Sequence, residues 1–121
     1  MARILVIEDD LWSRRIVLEL LELRGHDVLC GTGVSDGRAQ LDSVKFDAVL
    51  LDINIPGGGG ELLLHEIREY NAVMPVIAFT ASTMAGDRER FLAEGFTGHV
   101  SKPIDVKSFG ETIEAYLLPP A

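Results

Sequence analysis

The apolar run Ala48-Val49-Leu50-Leu51 ends abruptly on Asp52, and Pro56 and the four glycines Gly57 to Gly60 follow within a few residues. An unbroken apolar run between turn formers has no polar face. A strand built from it must be covered on both sides, as in a parallel sheet. Asp52 then stands at the carboxyl end of a central strand, the edge where open α/β sheets hold their ligands. A strand-end aspartate also serves as a turn former or helix cap, so the rest of the chain has to decide its role.

The same grammar recurs on either side. Ile4 to Ile7 is a second continuous apolar run and ends in Glu8-Asp9-Asp10. From Leu11 the spacing turns helical, with Ile16, Leu20 and Leu23 on one face, Val17 and Leu21 beside them, Asp10 as the N-cap and Gly25 as the stop. Asp27 to Thr32 reads as a weaker strand and Ser35 to Ser43 as a polar helix. After the Asp52 strand, Leu62 to Tyr70 is helical through Leu63, Leu64 and Ile67. Pro75 to Phe79 is a further buried strand, ending at Thr80-Ala81. Ser82 or Thr83 is expected to cap a helix that runs through Glu94 and stops at Gly95. A short strand near His99-Val100 meets Ser101-Lys102-Pro103. Val106, Phe109, Ile113 and Leu117 form the last helix, capped by Asp105 and ended by Pro119. Five β-α units predict an α/β fold, a doubly wound parallel sheet of five strands with five helices. Right-handed crossovers favour the flavodoxin-like order 2-1-3-4-5.

At 121 residues one domain over residues 1–121 is expected. A formal net charge of −8 argues against direct contact with nucleic acid and for a protein partner or a bound cation. Cys30 is the one cysteine, so no internal disulfide forms, and its apolar neighbours suggest a buried thiol in a reducing compartment. No apolar run approaches the roughly 20 residues of a membrane span. A cytoplasmic protein without membrane contact is the expectation.

In such a sheet the ends of strands one, three, four and five gather around one edge. The sequence places there Glu8, Asp9 and Asp52, then Thr80, then Lys102. Three converging carboxylates repel unless a cation joins them. A hard divalent ion is the economical answer, and Mg²⁺ suits one or two carboxylates with waters retained. With the acids neutralised, one carboxylate can attack an anionic phosphoryl group. Lys102 supplies a point charge and Thr80 a hydroxyl donor for the incoming oxygens. Asp10 reads as a cap rather than a ligand.

Four motifs at these strand ends, Ile7-Glu8-Asp9-Asp10, Leu51-Asp52-Ile53-Asn54-Ile55-Pro56, Phe79-Thr80-Ala81 and Ser101-Lys102-Pro103, make the chain resemble the receiver domains of two-component response regulators. The segment from Met84 to Arg90 further resembles single-domain regulators of kinases and cell-cycle proteins. The resemblance implies that Asp52 accepts a phosphoryl group from a histidine kinase or histidine phosphotransfer protein. It implies Asp9 as main Mg²⁺ ligand, Glu8 ligating directly or through water, and Asn54 contributing its backbone carbonyl. Lys102 would pair with Asp52 and then with the phosphoryl group, Thr80 would move to bond that group, and the Lys102-Pro103 bond would be cis. Output would pass to a downstream protein target through the fourth helix, fifth strand and fifth helix.

Three positions depart from the family's pattern. Gly57 to Gly60 occupies a loop that commonly holds a bulky residue and an acid before one glycine, which suggests a more mobile loop. His99 stands where Tyr or Phe is usual in the switch, so coupling through it is expected to be weaker or pH-dependent. Leu62 replaces a frequent acid. The competing readings are a metal-dependent phosphohydrolase working through an aspartyl-phosphate, a flavin carrier, and a docking module independent of phosphorylation. The phosphohydrolase expects its nucleophile on the first strand, and a flavin phosphate would be repelled by Glu8-Asp9-Asp10.

Overall fold

The structure, a computed structural model, describes residues 1–81 and 86–117. Strands and helices alternate along the chain: β1 (Arg3–Ile7), α1 (Leu11–Leu23), β2 (Asp27–Gly31), α2 (Val34–Ser43), β3 (Ala48–Asp52), α3 (Gly60–Tyr70), β4 (Val76–Thr80), α4 (Asp87–Glu94), β5 (Gly98–Ser101) and α5 (Phe109–Tyr116). The strands pair in parallel in the order β2-β1-β3-β4-β5, as the alternation predicts.

Successive side chains of a strand face opposite ways, so each apolar run feeds two cores. Leu5, Ile7, Val49 and Leu51 pack with α3 and with Phe91 of α4. Ile4, Val6, Leu50 and Phe79 pack on the other side with Val17, Leu21, Phe109 and Ile113 of α1 and α5. Every residue of β3, including Asp52, is buried.

Helix α3 begins at Gly60 rather than Leu62 and α4 at Asp87, with Gly86 as its N-cap, while α1 and α5 differ more in the faces or limits they take. In α1 the buried pair is Val17 and Leu21, whereas Ile16 is 42% and Leu23 84% exposed. Apolar residues fill both adjacent i,i+4 rows, so periodicity does not choose between them; docking on the sheet beside α5 does. The predicted caps are present: Asp10 Oδ2 accepts from Ser13 N at 2.8 Å, and Gly25 follows the helix at φ +88°. Helix α5 begins at Phe109 rather than Val106, which is 60% exposed. Asp105 caps the turn before it, with Oδ1 accepting from Lys107 N at 3.0 Å and its carbonyl from Phe109 N at 2.9 Å. Trp12 is 70% exposed, and Cys30, expected to be buried, is half-buried. The expected caps Ser82 and Thr83 and the stop Pro119 lie outside the described residues.

Candidate functional site

Strand register assembles the site. Ile7 pairs with Leu51 and Asp52 with Phe79, so Glu8 emerges beside Asp52, and Thr80 pairs with Ser101 immediately before Lys102. Carboxylate oxygens from Glu8, Asp9 and Asp52 lie within 4.8 Å of one another. Lys102 bridges two of these acids: its Nζ is 2.6 Å from Glu8 Oε1 and 2.9 Å from Asp52 Oδ2. The same ammonium sits 4.7 Å above the Phe79 ring centroid, a cation–π contact that holds the long side chain over the cluster. Lys102 N donates to Thr80 O at 2.8 Å, and the Lys102-Pro103 peptide is cis.

The two buried acids are driven apart electrostatically. Glu8 has no exposed surface, and burial, together with the neighbouring Asp52, pushes its carboxyl up to about 7. Burial opposes the charge on Asp52 as well, but contacts with Glu8, Lys102 and the Asn54 N–H outweigh it and hold that carboxyl below its ordinary value. Asn54 N donates to Asp52 Oδ1 at 2.9 Å. Asp52 is thus the acid of the pair whose charged form the site favours, and Glu8 the one whose charged form it disfavours when no cation is present.

The donor set fits a hard divalent cation. Glu8 Oε2 is buried without a hydrogen-bond partner among the described residues, a costly state that an ion would relieve. The Asn54 carbonyl accepts no hydrogen bond from the described residues. Carboxylate and carbonyl oxygens are the ligands Mg²⁺ takes.

Of the other predicted residues, Thr80 is buried at the end of β4. His99 lies apart from the acids: its ring is half-buried on β5 and packs at 5.7 Å against Phe91 of α4. The glycine loop has a defined reason for its composition. Gly57, Gly58 and Gly59 take φ of +99°, +126° and +87°, and a Cβ on Gly60 would stand 2.5 Å from the Asp52 carbonyl oxygen. Glycine is therefore the residue that lets the chain turn away directly beneath Asp52.

Arg14 was not foreseeable from any motif. Its Nη1 donates to Glu8 O at 2.9 Å. Only the helical placement of residue 14, one turn after Asp10, hinted at such reach.

A family model for the response regulator receiver domain matches residues 4–114. The chain belongs to that family. It is 35% identical to a hybrid signal transduction histidine kinase I of Dictyostelium discoideum, covering 95% of this chain and 7% of the kinase. It is 31% identical to the polar-differentiation response regulator DivK of Brucella anthropi, covering 94% of each. The receiver chain therefore spans a small fraction of one relative and nearly the whole of the other. The chemotaxis response regulator CheY4 of Vibrio cholerae shares the fold, with a TM-score of 0.90 at 24% identity over 97% of this chain and 99% of that one. Receiver membership and the two-component signalling context favour neither the phosphohydrolase nor the flavin-carrier alternative.

Proposed function

We propose that this chain is a phosphoryl-accepting receiver: Asp52 takes a phosphoryl group from a phosphohistidine on a histidine kinase or histidine phosphotransfer protein, and the modified domain changes its contacts with a downstream protein. The observation that carries this reading is Lys102 Nζ lying 2.6 Å from Glu8 and 2.9 Å from Asp52 within the acidic cluster. An Asp52 carboxylate oxygen bonds to phosphorus as the donor's P–N bond breaks, and the electron pair leaves with the imidazole, which gains a proton. The lowered carboxyl of Asp52 keeps the nucleophile ionised. Lys102, already bonded to Asp52, pairs with one phosphoryl oxygen, and the Thr80 hydroxyl donates to another. Glu8, Asp9, Asp52 and the Asn54 carbonyl are the residues that would hold Mg²⁺, which when bound supplies the positive charge that lets two anions meet.

The donor's docking ground is the apolar rim beside Lys102. A pocket of about 190 Å³ opens there, lined by Ile16, Phe79, Lys102, Pro103, Ile104 and Val106 among others. Leu11 and Trp12, 50% and 70% exposed, extend the apolar surface along α1. Any group delivered to Asp52 past Lys102 must cover this rim, which explains why apolar side chains are left in water there. Output is assigned to α4, β5 and α5, where His99 against Phe91 ties β5 to α4; Thr80 and His99 act as the switch by shifting an existing equilibrium. Met84 and Ala85 lie outside the described residues. One receiver domain over residues 1–121 and a cytoplasmic setting complete the proposal; no helix among the described residues is long and apolar enough to cross a membrane.

Borohydride reduction after treatment with acetyl phosphate and MgCl₂ tests the acceptor. An acyl phosphate is reduced to the alcohol, so peptide mass spectrometry should find homoserine at position 52. Homoserine at another aspartate, or at none, would refute the assignment of Asp52.

A further inference from the structure

All three backbone carbonyls of the acidic triplet converge on one residue. Arg14 Nη1 donates to Glu8 O at 2.9 Å and approaches Asp9 O at 3.5 Å, while Arg14 N donates to Asp10 O at 3.0 Å. The guanidinium stands among many acids, yet no carboxylate of the described residues lies within ion-pair distance of it. Its donors go to main-chain oxygens, and the carboxylates stay available. The rest of the loop is held from outside: Glu8 N donates to Gly31 O at 3.0 Å, and Asp10 Oδ2 accepts from Ser13 N.

We infer that Arg14 is a positioning residue for the divalent-cation site, clamping the backbone of the β1–α1 turn so that the Glu8 and Asp9 carboxylates point into the cluster. The inference rests on the reading of Glu8, Asp9 and Asp52 as cation ligands. Its interest lies in its sign. Arg14 is itself a cation beside a cation site, so Coulomb repulsion alone says that removing it should tighten Mg²⁺ binding. Clamping says the opposite, because a ligand backbone freed to move must be ordered again when the ion binds.

The test is a titration of the full chain with MgCl₂ alone, followed through the amide ¹H–¹⁵N shifts of residues 8–10, for wild type, Arg14→Met and Arg14→Lys. Clamping predicts that Arg14→Met raises the Kd about tenfold, the low end for groups that orient metal ligands. Arg14→Lys keeps the charge but loses the planar fork, and should fall between Met and wild type. An Arg14→Met Kd equal to or below wild type overturns the inference. Should Arg14→Met fail to fold, Arg14→Lys decides: a weaker Kd in a folded protein supports clamping, and an unchanged one refutes it. If wild type itself shows no saturable Mg²⁺ response, it is the cation-site reading that fails.

Discussion

Two charged clusters sit at opposite edges of the sheet and solve the problem of placing acids near a core in opposite ways. At the amino edge, Glu114 of α5 accepts from Arg24 Nε and Nη2 at 2.7 Å each and from His26 Nε2 at 2.8 Å, while His26 Nδ1 accepts from Ala2 N at 3.1 Å. Every lone pair in use there has a donor, and hydrogen bonds from Arg24 and His26 pull the Glu114 carboxyl down to about 2. At the carboxyl edge three acids cluster and one ammonium bridges two of them, an oxygen of Glu8 is buried with no partner among the described residues, and the Glu8 carboxyl is pushed up to about 7. The satisfied cluster ties the chain start, α1 and α5 together. The unsatisfied one is held ready for charges the chain does not itself supply.

Neutralising one acid in each cluster should therefore have opposite consequences in urea unfolding at pH 7. Glu114→Gln loses charge-assisted hydrogen bonds and should destabilise by about 2 kcal/mol, a figure already discounted for partial exposure of the carboxylate. Glu8→Gln removes a buried acid whose ionised form is disfavoured, and should stabilise by about 1 kcal/mol. Shifts of the same sign would break the contrast.

A pH series in metal-free buffer sharpens it. Glu114 has a depressed folded pKa, so its contribution is present above the ordinary glutamate value of 4.5 and is lost as pH falls toward about 2. Glu8 has a raised folded pKa. Between 4.5 and about 7 the native state holds a proton that the unfolded chain has released, so stability declines as pH rises through that window. Glu8→Gln should flatten the decline between pH 4.5 and 7, and Glu114→Gln should flatten the acid limb while leaving that decline in place.

MgCl₂ should act on one edge only. The smallest expected effect is a gain in wild-type unfolding free energy of RT ln(1 + [L]/Kd), about 0.4 kcal/mol with the ion at its Kd, read as a rise in the urea midpoint that Glu114→Gln retains and Asp9→Ala loses. Equal stabilisation of Asp9→Ala would mean that the ion acts elsewhere.

The two edges also differ in how far they can be read from sequence. Glu8, Asp9, Asp52, Thr80 and Lys102 were legible because each ends or follows an apolar run, and strand ends in a parallel sheet must meet. The α/β class followed from the same runs, and the sheet order from the flavodoxin-like pattern that such alternation favours. Glu114, Arg24 and His26 were not legible: their contacts join residues 88 and 90 positions apart, and none lies at a strand end. Arg14 was missed for a related reason, since it acts through carbonyls, which carry no sequence signal. In α1, Ile16 and Val17 begin equally good helical rows, and only docking on the sheet selected the second. Val106 fits the period of α5 but falls in the turn that Asp105 caps. The glycine loop looked like added freedom, whereas three positive φ values and the close approach at Gly60 make it a conformational requirement.

The central claim is that the unsatisfied edge exists to be phosphorylated with the help of a cation. Intact-protein mass after acetyl phosphate, with and without Mg²⁺, on wild type and Asp52→Asn, tests it most directly. The account predicts a single phosphoryl adduct on wild type that requires Mg²⁺ and is absent from Asp52→Asn. An adduct of equal yield without the metal or in Asp52→Asn, or no adduct on wild type with Mg²⁺, would contradict it.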